Sequence, residues 1–279
     1  MNTTINKNKL LLWLGIIFIT LFCITPVLWQ LLTSFKTNEA IIKIPTVYFP
    51  SFAQLTLTQY NNLGLNFLLY LVNSAIISFI STMLCLGLGA PSAYTLSRLN
   101  IPGKNVILAF ILVVSLFPYV LLFFSLLEIV KFLGLGNNYL SLIIPYTAIN
   151  LPLTILILRS FFLQLPKDLE DSARMDGYKT IPILLKIVLP LTTPALITTG
   201  ILAFIFAWNE FIFALTFITK ESLQTIPVAV AKIGGSSVFE IPYGAIASAT
   251  VVGTLPLVIL VLIFQKRIIQ GITAGAVKG

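Results

Sequence analysis

The sequence contains no histidine and only two cysteines in 279 residues. Without histidine the commonest metal ligand and proton shuttle is missing, so neither a Ser-His-Asp triad nor a histidine-based zinc site can be built. Cys23 and Cys85 both fall inside long apolar runs. They read as packing residues, with no disulfide framework or metal set implied. Charge is scarce as well, at 9% of residues, with nine acids against 17 lysines and arginines. A phosphate-cradling loop is also lacking. Gly103-Lys104 has neither the upstream glycine nor the following Ser or Thr of a Walker A sequence, so the chain is expected to bind no ATP and no other cofactor itself.

What is abundant is apolar surface. Hydrophobic residues make up 58% of the chain and the mean hydropathy is +1.02, well above the roughly 45–50% apolar content of soluble domains. Six apolar runs approach or exceed the roughly 18 residues that a membrane crossing needs: 10–32, 67–96, 106–130, 139–159, 191–218 and 243–264. The expectation is an all-α, polytopic membrane protein of six transmembrane helices. The first run is longer than a signal-peptide core and lacks a small-x-small cleavage site, so it reads as an uncleaved span. Six crossings place both termini on one side. Putting them in the cytoplasm leaves only Lys36, Lys43, Lys131, Lys220 and Lys232 of the 17 cations outside, as the positive-inside bias requires. The net charge of +8 is then a property of inner loops, and no nucleic-acid partner is implied. No internal repeat or low-complexity segment stands out.

One loop concentrates the charge. "EDSARMDGYKT", residues 170–180, holds three of the nine acids together with Arg174 and Lys179, and charge on this scale does not sit in hydrocarbon. Pro166 breaks the preceding segment, and Asp168 is placed to cap a short helix running to about Asp176. Glu170 and Arg174 are spaced i,i+4 as an exposed pair, with Leu169, Ser172 and Ala173 on the other, small and mildly apolar face. Gly177 suits a left-handed stop. Thr180 can cap a second helix with Pro182 in its first turn, leading back to Pro190. This is a helix–Gly–helix elbow on the inner surface; from spacing alone a solvated linker fits equally well. Further along, Pro227, Gly234, Gly235 and Pro242 predict that the outer segment 219–242 bends back on itself.

Asp171-Ser172-Ala173, Gly177 and Ile187-Val188-Leu189-Pro190 match the pattern E-A-A-x3-G-x9-I-x-L-P, with Asp for Glu and Ser for Ala. That pattern resembles the EAA loop of the membrane subunits of binding-protein-dependent ABC importers. "LEDSARMDG", "LLTSFKTNEAI" (31–41), "FAWNEFIFAL" (206–215) and "QGITAGAVKG" (270–279) are similar to carbohydrate-type permeases, the second maltose-type subunit above all. The resemblance covers nearly the whole chain. It implies that Glu170, Asp171, Ser172, Ala173, Arg174, Asp176, Gly177, Ile187, Leu189 and Pro190 couple the permease to an ATPase. It also implies a homologous second permease, a dimer of ATP-binding subunits that hold ATP and Mg, an extracytoplasmic solute-binding protein, and a prokaryotic inner-membrane location. The tail Gly271–Gly279 is by resemblance a docking or regulatory contact; read from its residues, it is a frayed end.

Polar residues within the runs are candidates for the substrate path. Glu210 lies deep in the fifth run beside Trp208 and Asn209, a trio with the aromatic and acceptor chemistry that suits a sugar. It is expected to face a cavity, or alternatively to pair with a partner subunit or act as an anchor. Asn73, Tyr119 and Asn150 are further candidates, for which interhelical hydrogen bonding is the competing role. The domain reading is 1–66 for the first span and outer loop, 67–265 for the transporter core carrying the EAA loop at 166–190, and 266–279 for a cytoplasmic tail. The function expected is an ATP-driven import permease for a sugar or sugar-like compatible solute. The alternatives are another polar solute, such as a polyamine or glycerol phosphate, or a membrane enzyme or scaffold.

Overall fold

The computed structural model describes residues 2–234 and 241–276. In chain order the helices are α1 Asn2–Ser34, α2 Asn38–Ile42, α3 Thr58–Asn61, α4 Gly64–Arg98, α5 Lys104–Leu116, α6 Phe123–Phe132, α7 Leu140–Phe162, α8 Asp168–Met175, α9 Thr180–Ile183, α10 Leu189–Leu191, α11 Thr193–Asn209, α12 Ile212–Phe217, α13 Ile226–Ala231 and α14 Tyr243–Ala276. Extended pairing among the described residues is limited to an isolated bridge between Lys36 and Leu55. The all-α expectation holds.

Among the described residues, four helices are long and apolar enough to cross a membrane alone: α4, α7 and the apolar parts of α1 and α14. The third and fifth runs, expected as single spans over 106–130 and 191–218, are not straight. α5 and the segment Tyr119–Phe132 meet at 88°, and Thr180–Leu191 meets α11 at 83°. The first break follows from Pro118, which cannot donate the helical bond and pushes Phe117 into the extended region, φ −70 and ψ 131. The fifth run breaks again at Glu210, which leaves α11 with ψ 129. Prolines inside α1, α4, α7 and α14 do not end those helices. Apolar surroundings leave the backbone no water to bond, so the remaining ladder is kept. Ser92 Oγ, beside Pro91, is bonded to the Leu88 carbonyl at 2.8 Å.

The chain divides into two compact units, Met1–Asn66 with Val230–Leu255 and Phe67–Ala229 with Pro256–Gly279. In the first, the α2–α3 segment folds on the end of α1, with Ser34 Oγ and Tyr60 Oη 2.5 Å apart and Gln59 bonded to Asn38 at 2.8 Å. Nothing in the most apolar stretch of α1 is buried within the chain, so lipid or another subunit must cover it. The second unit is built on α4 against α7 and α11. Gly89 is needed there: a Cβ would stand 2.6 Å from Thr154 Cγ2, and the same Thr154 hydroxyl lies 3.1 Å from Cys85 Sγ. Small residues let the helices approach this closely. Cys85 is buried packing, as expected, and Cys23 is exposed.

Two apolar clusters fill the second unit. One joins Tyr94, Leu158 and Phe162 to Ala173, Ile183 and Val188, so it packs the 166–190 elbow onto the ends of α4 and α7. The other joins Ile77, Tyr146, Phe213, Phe217 and Val228. Within 219–242, α13 folds inward with Ile226 and Val228 buried; Gly235, part of the expected turn there, lies outside the described residues.

Candidate functional site

The charged loop is an elbow. α8 is stopped by Gly177 at φ +84, where the Tyr178 N–H bonds to the Ala173 carbonyl and the Gly177 N–H to the Arg174 carbonyl, each at 3.0 Å. That paired pattern closes a helix on a left-handed glycine. A π-helical turn, Leu184–Val188, then carries the chain into α10.

The expected division of the elbow into faces needs correction. Glu170 does not pair with Arg174 on an exposed face. It is 4% exposed, with Oε1 2.6 Å from Arg98 Nε and Oε2 accepting from Tyr94 Oη at 2.8 Å. Arg98 also donates to the Leu165 carbonyl at 2.6 Å, and the neighbouring Arg159 donates to the Leu96 carbonyl at 3.2 Å. The inward face is therefore Glu170 with Ala173, one turn apart. Leu169 and Ser172, expected beside Ala173, are exposed, and Met175 is 89% exposed. Arg174 instead lies 3.9 Å from Asp171, both exposed. Two caps also shift by one residue: Asp168 and Thr180 are the first helical residues, and Lys167 and Lys179 hold the cap positions.

Physically, the elbow is a helix clamped from behind. The buried carboxylate carries a guanidinium charge contact on one oxygen, close but not aligned as a hydrogen bond, and accepts a phenol hydrogen bond on the other. Ile187 and Leu189 pack on the same apolar cluster, while Asp176 and Pro190 are exposed. The outward surface carries a small apolar patch ringed by charge.

Glu210 faces the protein interior, not a cavity. Its carboxylate accepts from Tyr146 Oη at 2.5 Å and from the Phe213 and Ala214 N–H groups at 2.9 and 3.2 Å. It thereby holds the start of α12 beyond the break. Trp208 is buried and stacks on Phe204 at 5.6 Å. Asn209 is exposed and donates to the Ile205 carbonyl at 2.8 Å, so the trio does not share one face. Asn73 is also interior: its amide bonds the Ser222 and Gln224 carbonyls at 3.0 and 2.8 Å and accepts from Tyr139 Oη at 2.7 Å. Tyr119 and Asn150, by contrast, line one cavity of about 510 Å³ with Phe206, Ser115 and Pro145.

Arg98, Tyr94 and Tyr146 were not singled out by sequence reasoning as site residues. The only available signal was the position of Arg98 at the end of an apolar run, which reads as loop charge. Among the described residues, no group of three or more His, Cys, Asp or Glu is arranged to hold a metal.

The fold is that of a helical membrane protein with a clamped, charged elbow, and comparison with known proteins gives it a family. The family of binding-protein-dependent transport system inner membrane components matches residues 85–273, and the chain belongs to it. It is 40% identical over 272 residues to the trehalose/maltose transport system permease protein MalG of Thermococcus litoralis, covering 98% of each chain. The trehalose transport system permease protein SugB of Mycobacterium tuberculosis is 39% identical over 260 residues, with 92% of this chain and 93% of that protein covered. In fold, the chain resembles a subunit of a bacterial ABC transporter that imports alginate, with a TM-score of 0.78, 22% identity and coverage of 95% and 97%. Its relatives are permease subunits, and its family is one of inner-membrane components of transport systems.

Proposed function

We propose that the chain is one of two homologous permeases of an ATP-driven importer for a sugar or sugar-like solute. It crosses the membrane six times, α5 with Tyr119–Phe132 forming the third crossing and α11 the main part of the fifth, with both termini in the cytoplasm. The core, 67–265, carries the loop at 166–190, and 266–279 is a cytoplasmic tail. Two ATPase subunits bind ATP and Mg, and a solute-binding protein delivers the cargo. The names of the relatives, trehalose and maltose permeases among them, support a sugar cargo. The observation that carries the coupling role is the clamp. α8 offers Leu169, Ser172 and Met175, with Asp171, Arg174 and Asp176, to a partner, while Glu170 fastens it to the end of α4 through Arg98. When the ATPase dimer closes, a displaced α8 therefore moves with the end of the second span rather than swinging on a free loop, and access alternates. Tyr119 and Asn150, on a shared cavity, are the path residues this geometry favours. The buried Glu210, Trp208 and Asn73 hold the frame around it.

Gly177→Pro tests the role. Proline fixes φ near −65°, so the stop at +84 is lost. Expected is uptake down by roughly tenfold or more with ATP hydrolysis by the assembled complex retained, while Gly177→Asn, which tolerates the left-handed region, keeps most of the transport. Normal uptake in the proline variant would remove α8 as the coupling element.

A further inference from the structure

The first unit holds a pocket that the transport reading leaves unused. Lys36 follows the last turn of α1 and is 2% exposed. Its ammonium donates to the Val47 carbonyl at 2.6 Å and sits 4.3 Å over the Trp29 ring. No carboxylate among the described residues forms an ion pair with it. An ammonium has three donors, and one carbonyl with one aromatic face leaves charge and donors to spare. Glu240, three residues before Tyr243, lies outside the described residues; burial pushes the Lys36 pKa down from its usual value.

The surroundings suggest what completes the site. Lys36 lines a cavity of about 320 Å³ with Trp29, Gln30, Thr33, Thr46 and Tyr243, and Ile41 and Ile246 complete its wall. Two hydroxyl side chains, a phenol and an amide thus share a concave surface with the lysine, and Trp29 packs on Tyr48 at 5.9 Å. Aromatic rings at the end of an apolar helix mark the interface depth of a membrane, where lipid phosphates lie. We propose that this pocket binds a phosphate-bearing anion, with Lys36 as the charged donor and Thr33, Thr46, Gln30 and Tyr243 as the neutral ones. The phosphate belongs to a lipid headgroup or to a small soluble phosphate ester. This site shares no residue with the elbow, so its failure leaves the coupling proposal intact.

The test uses the assembled transporter, delipidated in detergent, with phosphatidylglycerol, glycerol 3-phosphate and inorganic phosphate as probes. Lipid binding is read by native mass spectrometry and soluble binding by calorimetry. At least one probe binds the wild type, Lys36→Gln weakens it by roughly tenfold or more, and Lys36→Arg retains it. Binding of phosphatidylglycerol alone identifies a lipid headgroup; competition by glycerol 3-phosphate or phosphate identifies a soluble ligand. The double variant Thr46→Val/Tyr243→Phe leaves the Lys36 bonds in place and should also bind more weakly, which carries the test if Lys36→Gln fails to assemble. The inference is overturned if no probe binds the wild type. It is equally overturned if the Lys36→Gln and Thr46→Val/Tyr243→Phe proteins bind as tightly as the wild type.

Discussion

Glu170 shows how one side chain decides the character of a surface. On spacing it belongs with Arg174 on an exposed face; in the fold it is turned inward onto Arg98 and Tyr94. The reason is energetic. A carboxylate paired with the Arg98 charge and hydrogen-bonded by Tyr94 anchors the helix where it meets the apolar cluster. Glu170→Gln leaves the Arg98 charge buried without its counter-ion, a loss on the order of 3–5 kcal/mol in such pairs. Tyr94→Phe removes only one hydrogen bond to a charged group, about 2 kcal/mol. Unfolding of the assembled complex by denaturant should rank the two in that order; equal effects would mean the ion pair is not the dominant restraint. Glu170's partners were hidden from the sequence because Arg98 and Tyr94 sit on another helix, and a linear pattern carries no information about which face a neighbouring helix covers.

At the scale of elements, the first, second, fourth and sixth runs were legible in position, because length and hydropathy alone define a crossing helix. The bends were not. Pro118 and Glu210 lie within apolar stretches, and hydropathy does not register a change of direction. Pro118 could have been read as a break. Glu210 could not, because its role depends on Tyr146 from α7 and on two N–H groups of α12. The α4–α7 contact makes its own prediction. Gly89→Ala should destabilise the pair by about 1–3 kcal/mol through overpacking, since the added methyl would sit 2.6 Å from Thr154 Cγ2. Replacing Thr154 by Ser in the same protein removes that methyl, keeps the hydroxyl near Cys85, and should recover most of the thermal stability. No recovery would place the strain elsewhere.

For the whole molecule, the proposed topology is tested in a background lacking Cys23 and Cys85. A membrane-impermeant maleimide should label Lys43→Cys in intact cells, and Lys179→Cys only after the membrane is opened. The reverse pattern would invert the proposed orientation. The deeper claim is that this chain performs no chemistry and receives work through α8, which the Glu170–Arg98 pair fastens to the second span. The most direct measurement is the number of solute molecules imported per ATP hydrolysed by the reconstituted complex carrying Glu170→Met together with Arg98→Met. Replacing both partners avoids a stranded charge, and the ratio is measured on complex whose assembly has been checked. The account predicts that hydrolysis continues while the import ratio falls several-fold; an import ratio equal to the wild type would contradict it.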